Sequence, residues 1–440
     1  MIREAFRSGD LPVAVYGLGK MGLPLAGVYA ENCGNVIGAD IDPDIVETVN
    51  NGECRVKREP GLKELVAELV AEDSLRATSD PTVAAHEASI HVVIVPTPIT
   101  DAKEPDLSIL RAAVASIGEG LSAGDTVIIE CTVPPGTTSG LVVETLEETS
   151  GLESGAFGVA FCPERTSSGR ALEDIRGAYP KVVGGVDEES THVAEAIYAE
   201  INDEGVIPVS DATTAEAVKV FEGLYRDVNI GLANELGRLT DEIGTDIREA
   251  IEVANTQPFC DIHDPGPGVG GHCIPFYPYF IIDPFETETP LLETAREVND
   301  SMPRFTVEKL REEFEAEGSE LSEVSVLILG LTYRPGVEEI RASPSIDIAA
   351  ELTSAEADVY GVDPMLEEFD AFDLKPIPQT VIYDRKFDAV VLVTPHEEFT
   401  DIRWDDVERE DGQLVVIDGR ATLDLADTDH RVYTIGTGYQ

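Results

Sequence analysis

The sequence predicts an α/β protein: two Rossmann-like doubly wound domains joined by a long central helix. Three observations carry that expectation. Residues 13–22, VAVYGLGKMG, run from an apolar strand into a GxGxxG turn that opens a helix. Past residue 320 a similar order of β-branched runs returns, beginning with EVSVLILGLTY. Between them, residues 211–260 carry apolar positions at i, i+3, i+4 and i+7 over a stretch too long for a crossover helix in a sheet.

The elements follow in chain order. After the helix LPLAGVYAEN, the run NVIGADID ends on Asp40, 18 residues beyond Gly22. Gly17, Leu18, Gly19 and Gly22 form the expected cofactor turn. Gly17 permits a tight bend, Gly19 lets backbone approach a pyrophosphate, and the helix N-terminus faces the phosphates. Asp40 would accept hydrogen bonds from the adenosine ribose and repel a 2'-phosphate, which favours NAD over NADP. Further runs at 91–98, 125–134 and 156–164 lack alternation, as in a parallel sheet covered on both faces. Their C-terminal ends carry Thr97, Thr132 and Glu164, and ligands bind at that edge of doubly wound sheets. The expected division is a first Rossmann domain at 1–208, a central helical region at 209–315 and a second, smaller Rossmann-like domain at 316–440. In the second domain ADVYGVDP ends on Asp363, and the first turn, GLTYRPGVEEIR, replaces the glycine pattern with Arg334 and Arg341. Guanidinium groups beside a strand end suit a diphosphate, although arginines on an acidic surface also form plain salt bridges.

Asp and Glu number 85 against 31 Lys and Arg, a formal charge of −54 spread along the chain. Such a surface repels nucleic acid and anionic lipid, and reads as a halophile's adaptation in which high salt screens self-repulsion. No run reaches the length of a membrane span, and MIREAFRSGD has no apolar signal core, so a cytoplasmic protein is expected. The six cysteines, at 33, 54, 131, 162, 260 and 273, form no CxxC pair, and no His cluster has metal-ligand spacing. Most are expected to be small core residues, with no metal site.

Cys273 is the exception, because it lies in PGPGVGGHCIPFYPYF, where glycines let backbone approach a bound molecule and prolines fix the loop. A thiol near a nicotinamide points to oxidation at the aldehyde level: thiolate attack, hydride loss to NAD, and a thioester for water to cleave. A cation is then needed beside the developing charge. Lys219, inside the apolar stripe EAVKVFEGLYRDVN, is the candidate, although a lone lysine on an amphipathic helix is more often solvated or snorkelling.

At these residues the chain resembles the UDP-sugar 6-dehydrogenases, which include UDP-glucose and UDP-N-acetylmannosamine dehydrogenases. The resemblance runs nearly end to end and rests on GLGKMGLPLA, VPTP, TVPPGTT, CPERTSSGRALE, EAVKVFEGLYRDVNIGLANEL, NTQPF, GPGVGGHCIP and LTYRPGVEEIRASPS. It implies two NAD-dependent oxidations of a sugar C6 alcohol to a carboxylate; the long central helix is also the expected seam of a homodimer. KMGLPLA, PER and YRDVN look more like the acetamido-sugar branch, which puts UDP-N-acetyl-D-mannosamine ahead of UDP-glucose and UDP-N-acetylglucosamine. Carried over by motif, Cys273 is the nucleophile, Lys219 its oxyanion partner and Glu164 the base for water. Thr132 contacts cofactor or orders water, and Arg341 reaches NAD. Arg165, Arg226 and Gly270 touch sugar and diphosphate, while Tyr333 and Arg334 hold UDP.

Two positions depart from the family pattern. Tyr277 stands four residues past the thiol, where an Asp is usual, and Gly223 four past the lysine, where an Asn is usual. Uncompensated, each loss near an oxyanion would cost on the order of 10²-fold in rate. A slowed enzyme or a nucleotide-sugar-binding homologue without turnover is the alternative expectation.

Overall fold

The structure, a computed structural model, describes residues 2–410, 412–425 and 427–439. The chain forms two compact units, one of residues 1–222 and 279–286, the other of 223–278 and 287–440. The division falls inside the central helix, Ala212–Arg238, and so cuts across the expected 209–315 segment.

In the first unit the strands are β1 (Val13–Tyr16), β2 (Val36–Ala39), β3 (Leu75–Thr78), β4 (Ile90–Val93), β5 (Thr126–Ile129), β6 (Gly158–Phe161), β7 (Lys181–Gly185) and β8 (Val206–Pro208). They pair in the order β3-β2-β1-β4-β5-β6-β7-β8, parallel except between β6 and β7. The order reverses between β1 and β4, which opens a crevice at their carboxyl ends. β1, β2, β4 and β5 are buried throughout. One apolar layer, with Tyr29 and Tyr198 edge to face at 6.1 Å, covers one side, and a second layer around Val114, Ile117 and Leu146 covers the other. This is why those strands read as continuous apolar runs.

The second unit repeats the plan. Its strands are β9 (Ser325–Leu329), β10 (Asp358–Val362), β11 (Lys375–Pro376), β12 (Ala389–Leu392), β13 (Val415–Asp418), β14 (Arg431–Thr434) and β15 (Gly438–Tyr439). They pair as β11-β10-β9-β12-β13-β14-β15, parallel except at the β14–β15 edge. Two apolar layers again enclose the sheet. Both expected Rossmann-like domains and the long helix are therefore present. Among the described residues, no helix is long and apolar enough to cross a membrane.

Candidate active site

The turn after β1 is built as its glycines require. Gly17 has φ +96°, and a Cβ there would lie 2.6 Å from the Ile94 carbonyl oxygen beyond β4. At Gly22 a Cβ would meet the Gly17 carbonyl oxygen at 1.8 Å, so turn and helix can close only on glycine. Gly19, by contrast, has nothing within 4 Å of its Cβ position, which leaves open space over the backbone where a pyrophosphate would sit. Leu18 turns its side chain into the core, against Gly38, and offers only its backbone to the turn; its amide donates to Asp40 Oδ2 at 2.8 Å. The other Asp40 oxygen accepts from the Asp42 amide at 3.0 Å. A carboxylate oxygen has two lone pairs, so half-exposed Asp40 keeps acceptor capacity for ribose hydroxyls. Beside it Ile41 is 88% exposed, an apolar face suited to an adenine ring that sequence reading missed. These residues fit NAD. The far side of the crevice is tied by Thr97, whose hydroxyl donates to the Thr132 carbonyl at 2.6 Å.

The N-terminal half of the central helix is fastened to the ends of β5 and β6 by residues spaced three apart, which lie on one helix face. Buried Glu216 accepts from the amides of Gly136 at 2.5 Å and Thr138 at 2.7 Å. Burial raises its carboxyl above the ordinary value, against the pull of those hydrogen bonds. Lys219, 7% exposed, donates to the Glu164 carbonyl and stands 3.7 Å from a Glu164 carboxylate oxygen. Glu164 also accepts from the Thr166 amide. Glu222 forms a two-point pair with Arg165, 2.7 Å at the shorter contact, and Arg165 also donates to the Pro180 carbonyl at 3.3 Å. The lysine and acid that sequence reading singled out are thus neighbours, and Lys219 is not a solvated side chain. Glu216 and Glu222 went unnoticed there, although their spacing around Lys219 was readable.

In the second unit the thiol loop is held against the loop that follows β9. The Gly271 amide donates to the Arg341 carbonyl at 2.8 Å, and His272 Nε2 lies 3.0 Å from a Glu339 carboxylate oxygen. A Cβ on Gly270 would fall 2.7 Å from both the Ala342 carbonyl oxygen and Tyr333 Cβ, so this approach needs glycine. The Arg341 guanidinium lies 5.0 Å from the Phe276 ring centre, a cation–π contact. Arg334 is half-buried beside Tyr333, and its carbonyl faces the Thr332 hydroxyl at 3.4 Å. The Arg226 side chain is exposed on the central helix. Upstream, Arg248 donates to the Pro265 carbonyl at 2.6 Å, and Asn234 accepts from the Gly266 amide at 2.8 Å. Arg420 donates to the Val393 carbonyl at 3.1 Å and reaches the Gly268 carbonyl at 3.5 Å; burial brings its guanidinium down to about 10. Sequence reading had no signal for these three.

Three of the other thiols contrast with Cys273, while Cys54 and Cys260 are half-buried like it. Cys33, Cys131 and Cys162 are buried, and burial pushes Cys33 up to about 11, Cys131 up to about 12 and Cys162 higher still. Such thiols are protonated and inert at neutral pH. Cys273 is half-buried in a glycine loop.

Three domains of one family match nearly the whole chain. Residues 11–202 match the NAD binding domain of the UDP-glucose/GDP-mannose dehydrogenase family, 213–301 its central domain and 327–425 its UDP binding domain. The chain belongs to that family. Among its relatives, UDP-N-acetyl-D-mannosamine dehydrogenase of Pyrococcus horikoshii is 35% identical over 93% of this chain and 95% of its own length. NDP-N-acetyl-D-galactosaminuronic acid dehydrogenase of Ralstonia nicotianae is 35% identical over the same shares of the two chains. The solved structure of the UDP-D-ManNAc dehydrogenase from P. horikoshii superposes with a TM-score of 0.87 at 32% identity, covering 97% of this chain and 99% of that one. Membership in the UDP-glucose/GDP-mannose dehydrogenase family makes the chain an NAD-dependent oxidoreductase.

Proposed function

We propose that this protein oxidises the C6 alcohol of a UDP-sugar, UDP-N-acetyl-D-mannosamine first among candidates, to the uronate in two steps. The observation that carries the reading is the thiol loop. Cys273 lies in a segment, within the part that matches the central domain, held by Gly271 and His272 against the loop bearing Tyr333, Arg334 and Arg341, which lies in the part that matches a UDP binding domain. Relatives named for acetamido sugars support the choice of substrate.

Gly17, Leu18, Gly19, Gly22, Asp40, Thr97 and Thr132 would hold NAD, joined by Arg341. NAD, when bound, takes up one hydride in each oxidation. The Cys273 thiolate adds to the C6 aldehyde, and Lys219 steadies the resulting oxyanion. After the second oxidation Glu164 takes a proton from the water that cleaves the thioester, releasing carboxylate and thiol. Arg165, Arg226 and Gly270 would contact sugar and diphosphate, and Tyr333 and Arg334 the UDP. Residues 1–208 then serve as the NAD domain, 209–315 as the central region with the thiol loop, and 316–440 as the UDP-sugar domain.

We read the assembly as a cytoplasmic homodimer. Phe221 (57% exposed), Tyr225 (53%) and Leu232 (48%) lie along one side of the central helix and give it an apolar face to pair. The acidic surface is read as a halophile's.

The test is NADH formation in molar salt over a panel of UDP-sugars. The reading expects the highest kcat/KM with UDP-N-acetyl-D-mannosamine, and loss of structure on desalting. Faster turnover of UDP-glucose would move the substrate assignment, and binding of nucleotide sugars without any turnover would refute the catalytic reading.

A further inference from the structure

We propose that Tyr277, through its ring docked on Gly223, is the anchor that sets the position of the Cys273 thiol, so that both act as positioning residues for the nucleophile. The proposal rests on Cys273 being that nucleophile.

Glycine in a helix interior is destabilising, and Gly223 lies inside the helix Ala212–Arg238, so its presence asks for a reason. The reason is an aromatic ring. A Cβ on buried Gly223 would stand 2.1 Å from Tyr277 Cδ2 and 3.0 Å from both Cβ and Cγ. These atoms are the root and near edge of the side chain, so no rotamer adjustment at its tip relieves the overlap. Tyr277 is itself only 5% exposed. The ring therefore lies flush on the helix backbone, a contact that any residue other than glycine at 223 would push apart.

The docked ring is one turn from the thiol. The Tyr277 amide donates to the Cys273 carbonyl at 2.9 Å, and the Phe276 amide to the same oxygen at 3.1 Å. Pro275 and Pro278 flank these aromatic residues and restrict the backbone between them. Adjacent side chains thus grip different elements: Phe276 lies under Arg341 of the loop after β9, and Tyr277 lies on the central helix. Upstream, His272 and Gly271 fasten the segment to that same loop. Cys273 sits between these attachments, and the Tyr277 contact ties the segment, close to the thiol, to the helix backbone at Gly223. A tyrosine suits the task, since it supplies a large rigid surface with two side-chain torsions. The departures at 223 and 277 are then one packing contact rather than two independent losses.

The test compares Gly223→Ala, Tyr277→Ala, Tyr277→Phe and the Gly223→Ala/Tyr277→Ala double variant, reading kcat, KM and the iodoacetamide alkylation rate of the Cys273 peptide by mass spectrometry. Displacing reacting groups by about 1 Å costs about 10²-fold, so Gly223→Ala is expected to lower kcat by about 30- to 100-fold. KM for the nucleotide sugar should stay within about 3-fold, because nucleotide binding is not what the contact serves. In the Tyr277→Ala background the methyl group meets no ring, and Gly223→Ala should change kcat by less than about 2-fold. Tyr277→Phe keeps the ring and should keep the wild-type alkylation rate. Equal costs of Gly223→Ala in both backgrounds, or a wild-type alkylation rate in Gly223→Ala, would overturn the proposal. If Gly223→Ala does not fold, recovery of folded protein in the double variant supports the contact, and failure of both to fold overturns it. Alkylation is read without turnover, so it reports the position of the thiol even if Cys273→Ala shows that the thiol is not the nucleophile.

Discussion

In the first domain the Leu18 amide donates to Asp40 Oδ2 at 2.8 Å; in the second, the Leu331 amide donates to Asp363 Oδ2 at 2.7 Å. Leu18 packs on Gly38, and Leu331, together with Leu374, packs on Gly361. Up to this point the two turns are built alike. They part at the next residue. Gly19 leaves open space, whereas Thr332 gives Asp363 both its amide, at 2.8 Å, and its hydroxyl, at 3.1 Å. His396 Nε2 adds a contact at 3.0 Å, and the Met365 amide takes the other oxygen at 2.7 Å. The Asp363 and His396 side chains have no exposed surface. A carboxylate that reads as a ribose acceptor in one domain is thus, in the other, a buried knot that shapes the loop carrying Tyr333 and Arg334. The Gly336 amide lies 3.4 Å from His396 Nδ1 on the far side of the ring. One topology leaves open space over its turn in the first domain and fills the same turn to support a loop in the second.

That contrast predicts opposite outcomes for equivalent substitutions. Asp363→Ala strands His396 and three backbone amides in a dry interior, and should destabilise the fold by about 3–5 kcal/mol, read from denaturant or thermal unfolding in high salt. A stable Asp363→Ala protein would break the comparison. Asp40→Ala should leave the melting temperature within a few degrees of wild type yet raise KM for NAD by about 10- to 100-fold, because a charged hydrogen-bond acceptor is worth about 1.5–3 kcal/mol. Gly19→Ala meets no protein atom, so any rise in KM for NAD at unchanged stability locates the cofactor over that turn; unchanged KM places it elsewhere.

The smallest effect is on pH dependence. Burial works to raise Asp363, but the His396 hydrogen bond and charge and the amides of Thr332 and Met365 hold it below its ordinary 3.8. A carboxyl depressed in the folded state stabilises above its unfolded pKa and loses that contribution as pH falls through the folded value. The stability gap between wild type and Asp363→Asn should therefore be flat from neutrality to about pH 5 and narrow below the ordinary 3.8. A gap that widens on acidification would contradict the assigned sign.

What the sequence made legible were features written locally. The glycine turn, the Asp40 that follows β2, the apolar strand runs and the long helix are each written within short windows, and each of these elements is present in the structure. Asp40 and Asp363 looked equivalent because both follow a second strand; what separates them is Thr332 in place of Gly19, together with His396, brought in from beyond β12. The same holds for Gly223 and Tyr277, which appeared as two unrelated losses and are one contact. Arg420 and Arg248, fastening the thiol loop from distant parts of the chain, had no local signature at all.

The central claim is that Cys273 carries the substrate through a covalent second oxidation. The direct measurement is the number of NADH formed per UDP-sugar consumed, for wild type and for Cys273→Ala, in high salt with NAD in excess. The account predicts two NADH per sugar for wild type and no uronate from Cys273→Ala, with nucleotide-sugar binding retained. Two NADH per sugar from Cys273→Ala at an undiminished rate would contradict it.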